Sequence, residues 1–233
     1  MTSSSIAKSQ VAYARFAGFM FLLVNAAYMV GLSIISRFAV PGNIAETAHR
    51  ILQSELLYRQ GLASLLMGAL GTVFLAMGLY VAVRTIDGNL AMLALVFRIA
   101  EATIFGVLSV LNFAELPLYV GADSMSAFAA NQLLVLAKLN STAQAAGFNI
   151  AALFFSVGSI TFFYLFFKAR SIPRVLSGLG LGASVLFAIV CFASLMWPHA
   201  GWLRLGWIPM GVAETLAGLW LLFKGVKVQP QGS

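Results

Sequence analysis

Residues 90–114 read LAMLALVFRIAEATIFGVLSVLNFA. The run is apolar almost throughout, yet Arg98 and Glu101 stand in its first half. A bilayer core is about 30 Å thick, and a helix that crosses it needs about 20 mostly apolar residues. The apolar residues are continuous rather than alternating, which favours a helix over a half-buried strand. A helix also satisfies its own backbone hydrogen bonds in lipid, where water supplies none. This stretch therefore points to an all-α membrane bundle, provided the rest of the chain matches it.

Five further runs do match. They are Val11–Ser36, Gly61–Val83, Ala146–Lys168, Val175–Trp197 and Leu205–Lys224, with Leu90–Ala114 third in chain order. The expected architecture is a polytopic bundle of six transmembrane helices. The first run is long enough to span, so it reads as a retained helix and not a cleaved leader. Composition agrees: of 233 residues, 61% are hydrophobic and 9% charged, against about a quarter charged in an ordinary soluble domain. That excludes a soluble enzyme, a disordered chain and a secreted disulfide scaffold. A lone cysteine, Cys191, forms no intrachain disulfide and reads as a small buried apolar residue. The domain layout is a cytoplasmic segment 1–10, one membrane domain 11–225 and a cytoplasmic tail 226–233.

The formal net charge is +7. The basic residues punctuate the apolar runs instead of forming a stripe, so they read as topology signals and nucleic acid is not an expected partner. One side gathers Lys8, Arg15, Arg84, Lys168, Arg170, Arg174, Lys224 and Lys227. The other holds Arg37, Arg50, Arg59, Lys138 and Arg204, spread over longer connections. The denser side is expected to be cytoplasmic, which puts both termini inside. Trp197, Trp202 and Trp207 then cluster at the outer interface.

Two connections exceed tight turns. In Pro41–Arg59, Ile44, Ala48, Ile51, Leu52 and Leu56 recur at helical spacing, with Glu46, His49, Arg50 and Gln53 off that face. The reading is an amphipathic helix on the outer membrane surface. Asp123–Gln144 is similar in pattern, and reads either as a connector or as an outward extension of the fourth membrane helix.

Charges inside a membrane helix are costly and default to functional candidates. At about 100° per residue, with Arg98 as zero, Glu101 falls near 300°, Ser109 near 20°, Asn112 near 320° and Glu115 near 260°. Helix three thus carries one polar stripe, which must face protein or water. Arg98 lies about 12 Å in from Leu90, and Glu214 of helix six about 15 Å in from Lys224, on the same side. Arg98 is therefore expected to meet Glu214, Glu101 or both. Trp207, Gly211, Gly218 and Gly225 share the Glu214 face and would admit a close neighbour. Asn25 of helix one and Asn149 of helix four are further intramembrane polar residues, expected to bond across a helix interface. Ser64, Gly68, Gly71, Gly78 and Ala82 form a small-residue face on helix two. Gly178, Gly180 and Gly182 read as close packing and not as a phosphate loop.

No zinc, Walker or dinucleotide signature occurs, and no cofactor is expected. Glu46 and His49 have i, i+3 spacing, which with His199 makes a weak metal candidate. A salt-bridged rim, with Glu55 and Arg59 at i, i+4, is the plainer reading of that end.

Four segments occur in a characteristic order: Glu55-Leu-Leu-Tyr-Arg59, Phe97-Arg98-Ile-Ala-Glu101, Ile172-Pro173-Arg174-Val-Leu-Ser-Gly178-Leu-Gly180, and Glu214-Thr-Leu-Ala-Gly218-Leu-Trp220 onward to Gly225. The chain resembles, over roughly residues 10 to 225, the bacterial membrane family catalogued as domain of unknown function 4386. Ser177 stands where that pattern has Gly. The resemblance implies a bacterial inner-membrane protein of about six helices and no particular reaction.

Three functions compete. The leading one is a protein that binds or translocates a small or lipidic molecule in a polar pocket lined by Arg98, Glu101, Asn112, Glu214 and Asn25. The second is a membrane-embedded enzyme on a lipid- or quinone-like substrate, using Glu46, His49, Glu55 and His199. The third is a scaffold whose polar pairs only hold helices together. Membrane lipids are partners in every case. The Gly-rich faces of helices two, five and six serve contacts within one chain or between copies equally, so homo-oligomers stay open.

Overall fold

Six stretches are both apolar and long enough to cross a membrane, and all six are helical in the computed structural model. It describes residues 3–40, 43–120 and 130–227. Among the described residues seven α-helices run in the order α1 (Ser3–Ser36), α2 (Ile44–Gln53), α3 (Glu55–Val83), α4 (Gly88–Val120), α5 (Ala130–Ala169), α6 (Arg174–Met196) and α7 (Ile208–Lys224). A 3-10 helix, Gly201–Trp207, leads into α7. Among the described residues there is no strand. The protein is a multi-pass helical membrane protein.

The spanning helices α1, α3, α4, α5, α6 and α7 form a ring in chain order. Each packs against the next, α7 closes back onto α1, and α3 also touches α5 across the ring. Closure depends on bare backbone. A Cβ on Gly18 of α1 would stand 2.7 Å from the Gly218 carbonyl oxygen and 2.8 Å from the Leu221 carbonyl carbon of α7. The α1–α3 seam uses the expected small-residue face. Gly71 lies against Val24, Gly78 against Ala17, and Ser64 donates to the Ala27 carbonyl at 2.8 Å. Such small residues let helices approach closely where lipid supplies no hydrophobic drive.

Outward faces carry exposed Phe19, Val30, Met67, Phe74, Val96, Val110, Ile189 and Phe223, among others. Apolar surface on this scale is lipid-facing surface. The interior holds the buried polar groups instead.

Helix ends have local causes. Asn43 caps α2 by accepting from the Glu46 amide at 3.0 Å, and Asp87 does the same for the Leu90 amide at 3.1 Å. Gly225, at φ 67°, stops α7. Arg170, at φ 52°, takes the left-handed position usually given to glycine after α5, and the Ser171 amide reaches back to the Phe166 carbonyl at 3.2 Å.

The basic ends meet at one end of the bundle. Lys168 lies 3.9 Å from Asp87, Gln10 hydrogen-bonds Thr85, and the Lys227 amide donates to the Ser171 carbonyl at 2.9 Å. At the opposite end α2 caps the ring. Its Ala48 and Ile51 are buried with Phe38, Tyr58, Leu62 and Leu116.

Several expectations change here. The 41–59 segment is not one amphipathic helix. It breaks at Ser54, and Glu55–Arg59 form the first turns of α3, so that span starts before Gly61. Past Ser54 the helical phase resets and Leu56 is exposed; Leu52, still within α2, is exposed as well. Pro41 and Gly42 lie outside the described residues. Of Asp123–Gln144, residues 123–129 lie outside them too, and the rest extends the fourth span: α5 has 40 residues, about 60 Å at 1.5 Å per residue. Trp197 and Trp202 are exposed as interfacial residues should be, but Trp207 turns inward. Gly211 meets no neighbour within 4 Å and Gly182 none either, whereas Gly180 is pressed against the Phe163 ring. Cys191 is a buried free thiol.

Candidate functional site

Lipid cannot solvate the polar stripe of α4, so the helix turns it inward. Arg98 is 2% exposed and Glu101 3%. Ser109 is buried as well and donates to the Phe105 carbonyl of its own helix at 2.9 Å. The opposite face of α4, with Val96, Val107 and Val110, looks outward.

Arg98 Nη1 stands 3.1 Å from Glu101 Oε2. The two residues are one turn apart on the same helix, so the ion pair is internal to α4. The distance is that of an ion pair, but the N–H does not point at the oxygen. Arg98 Nε and Nη1 and Glu101 Oε2 are all buried without a hydrogen-bond partner. A guanidinium has five donors in a fixed fork, and a single carboxylate held side-on leaves most of them unused.

Helix α5 receives the arginine stem. A Cβ on Gly158 would stand 2.9 Å from Arg98 Cγ and 3.0 Å from Cδ, so only glycine leaves the stem its path. One turn away on α5, the Phe155 ring lies under the guanidinium, 4.5 Å from Cζ to ring centroid. That is cation–π contact at a buried guanidinium, where such contacts are strongest.

Glu214 of α7 is buried and joins the pair at longer range: it feels the Arg98 charge, and Glu101 feels the charge of Glu214. Tyr28 of α1 is the fourth polar member. Its ring lies on Gly68 of α3, where a Cβ would come 2.9 Å from Cε1. Its hydroxyl sits beside that of Thr72, within electrostatic range of Glu101, Arg98 and Glu214. That hydroxyl is buried, and Thr72 is the polar side chain beside it.

A circuit of rings surrounds this group. Tyr28 meets Phe105 at 5.4 Å, and Phe105 meets Phe148 at 6.0 Å. Phe148 meets Trp207 at 4.7 Å, and Trp207 meets Phe187 at 6.4 Å. Phe187 meets Phe155 at 5.4 Å, edge to face, which returns to Arg98. Such spacings and tilts are those of interacting aromatic pairs. The Trp207 indole N–H is buried without a partner. Four of the spanning helices, α1, α4, α5 and α6, and the 3-10 segment before α7 contribute to the circuit, and α3 contributes the Gly68 seat.

The remaining sequence candidates lie elsewhere. Asn112 is half-buried, about 21 Å beyond Arg98 along α4. Asn25 is half-buried, about one turn from Tyr28 on α1. Asn149 does not bond across an interface: it donates to the Ala145 carbonyl of its own helix at 2.9 Å, and its Oδ1 is buried without a partner. An intrahelical carbonyl one turn back is always within reach of Asn Nδ2, and it captured the amide. Glu115 accepts a hydrogen bond from Asn140 of α5.

At the capped end, Arg50 Nε donates to Glu46 at 2.9 Å and Arg59 Nε to Glu55 at 2.6 Å. The Arg50 hydrogen bond holds the exposed Glu46 carboxyl below its usual range. His49 faces Gln53 at 3.3 Å. Glu46, His49 and His199 do not come together, and no group of three or more metal-ligating side chains forms among the described residues.

The sequence reading missed Tyr28, Thr72, Phe155 and Gly158; it put Trp207 on the Glu214 face but also counted it with the outer-interface tryptophans. Tyr28 carried a signal, since a phenol deep in a span needs a polar neighbour. Phe155 carried none among 19 phenylalanines.

No curated protein and no solved structure matches the chain. One family model does, over residues 16–225, which is most of the length. The chain belongs to the family described as Domain of unknown function (DUF4386).

Proposed function

We propose that this protein binds a small or lipid-like molecule inside the bundle, against Arg98, Glu101 and Glu214, and holds or translocates it within the membrane. One observation carries the reading. Arg98 and Glu101 are at most 3% exposed, and although they pair at 3.1 Å, Arg98 Nε has no partner and neither Nη1 nor Oε2 makes a hydrogen bond. A buried polar group left unpaired costs about 1–3 kcal/mol, and more when charged. A bound molecule with its own donors and acceptors would remove that cost. The indole N–H of Trp207, buried without a partner, would serve the same molecule. We place the protein in a bacterial inner membrane with its basic end in the cytoplasm, following the family resemblance and the asymmetry of Lys and Arg. The capped end, with α2, then faces outward.

A second reading has its own support. Gly158 and Phe155 grip the Arg98 side chain closely, as an interhelical clamp would. One experiment separates the two. The full chain is purified in mild detergent and examined by native mass spectrometry beside Arg98→Ala and Glu101→Gln. Binding predicts a small-molecule adduct on the wild type that both variants lose. Adduct-free spectra for all three proteins, with both variants less stable, would leave only the clamp.

A further inference from the structure

We infer that the basic end of the bundle holds the headgroup of an anionic phospholipid, between Arg15 of α1, Arg170 just after α5, and Lys224 and Lys227 around the end of α7. The site lies outside the interior cluster and does not depend on what that cluster binds.

The chain after α7 brings these residues together. Gly225, at φ 67°, turns the backbone, and a Cβ there would stand 3.9 Å from Arg15 Cγ. Val226 is buried, and the Lys227 amide donates to the Ser171 carbonyl at 2.9 Å, next to Arg170. Gly225 and Lys227 are two residues apart, at most about 7 Å. Three separate parts of the chain thus place cations along one short stretch of the membrane edge. All four side chains are exposed.

No acid of the chain answers them. There are seven Asp and Glu residues in all. Glu46 and Glu55 pair with Arg50 and Arg59 at the capped end. Glu101 and Glu214 are interior, and Glu115 accepts from Asn140. Asp87 faces Lys168, and Asp123 lies outside the described residues. Arg15, Arg170, Lys224 and Lys227 make no ion pair among the described residues. Basic residues set topology by their number on one side, which requires no fixed arrangement of them. Here the arrangement is fixed: the tail is tied to the α5–α6 loop, and an arginine stands at φ 52°, where glycine is favoured. A phosphodiester brings the missing negative charge and the acceptor oxygens that guanidinium and ammonium groups need.

The surface just deeper in the membrane favours a lipid over a free anion. Phe19 lies one turn past Arg15 on the same side of α1, and Phe223 directly precedes Lys224 on α7. They are 50% and 68% exposed, beside the seam where Gly18 meets Gly218 and Leu221. Leu23 and Leu219 continue that exposed apolar strip inward. Phosphate-binding cations above and an apolar strip below match a phospholipid, headgroup and acyl chain together.

The test compares two lipids that differ in charge. The full chain in mild detergent is titrated with phosphatidylglycerol and with phosphatidylcholine of the same acyl chains, and bound lipids are counted by native mass spectrometry. Phosphatidylglycerol should be held about fivefold more tightly or better. Lys224→Gln with Lys227→Gln should weaken it by about fivefold per charge removed. Arg37→Gln with Arg204→Gln removes as much charge at the opposite end and should leave the tightest lipid in place. Arg170→Gly separates binding from folding. It relieves the backbone at φ 52° and deletes the guanidinium, so the melting temperature should hold or rise while phosphatidylglycerol binding falls. Equal affinity for the two lipids, an equal loss in the Arg37 and Arg204 pair, or wild-type binding in both Arg170→Gly and the lysine pair would overturn the inference. Displacement of the lipid by inorganic phosphate at matched ionic strength would overturn it too, by making this a site for a free anion.

Discussion

Replacing Arg98 by Met keeps the stem that Gly158 and Phe155 hold and deletes the charge. The pair it breaks is 3.1 Å long with both side chains at most 4% exposed. At an effective dielectric of about 20, charges at that distance attract by about 5 kcal/mol. Breaking a buried pair by removing one partner costs about 3–5 kcal/mol, because the other charge is stranded. The double change Arg98→Met with Glu101→Gln strands nothing of that pair and should recover about half of the loss or more. A control lies on the same chain. Arg59 and Glu55 form a closer pair at 2.6 Å, but their side chains are 50% and 34% exposed, so its coupling should stay below about 0.5 kcal/mol. Equilibrium unfolding in mixed micelles, followed by circular dichroism, measures both double-mutant cycles. A coupling for Arg98–Glu101 no larger than that for Arg59–Glu55 would refute the reasoning, since burial would then have added nothing.

Three further outcomes are expected. Gly18→Leu should cost about 1–3 kcal/mol or abolish folding, because the added side chain meets the backbone of Gly218 and Leu221, which cannot rotate away; a melting temperature within error of wild type would contradict the close α1–α7 seam. In the Gly178–Gly182 motif, Gly180→Ala should destabilise against the Phe163 ring, while Gly182→Ala, with open space, should be neutral or gain up to about 1 kcal/mol from helix propensity; thermal melts of the two variants check the contrast. The third concerns pH. Arg50 keeps the folded-state Glu46 carboxyl below its ordinary value, so the pair's contribution is present above that value and is lost as pH falls through the lower folded one. Exchange protection of the Ala48 and Ile51 amides, corrected for intrinsic rate, should drop between about pH 6 and about pH 3. Glu46→Gln should show a smaller drop.

Helix number and the inward turn of the α4 stripe were legible because both are periodic properties of single segments. Arg98 and Glu101 announce themselves by being charged where lipid tolerates no charge. The ring order was less legible. It depends on which bare backbone meets which, and Gly18 looks like any other helix glycine until Gly218 stands opposite it. Trp207 was misread for a related reason. Its position near a helix end matches an interfacial residue, and only the 3-10 segment before α7 swings it toward Phe148 and Phe187. The break at Ser54 had no strong sequence mark, because the apolar spacing of α2 runs on by coincidence into the first turn of α3. Phe155 could not be singled out, since its partner lies on another helix.

That Arg98 has its counter-ion one turn away on its own helix bears on how the protein is made. Translation delivers α4 to the membrane long before α7 exists, so Glu214 cannot help when Arg98 first enters lipid. A lone arginine at the centre of a helix disfavours insertion by about 2.5–3.5 kcal/mol on the insertion scale. Glu101 follows three residues behind and enters with it, so the segment goes in as an internally compensated unit. Glu214 arrives last, when α7 docks on α1, and it brings the charge that the nascent chain did not need. The order of synthesis thus separates a residue that gets the helix into the membrane from one that completes the interior once the bundle has closed.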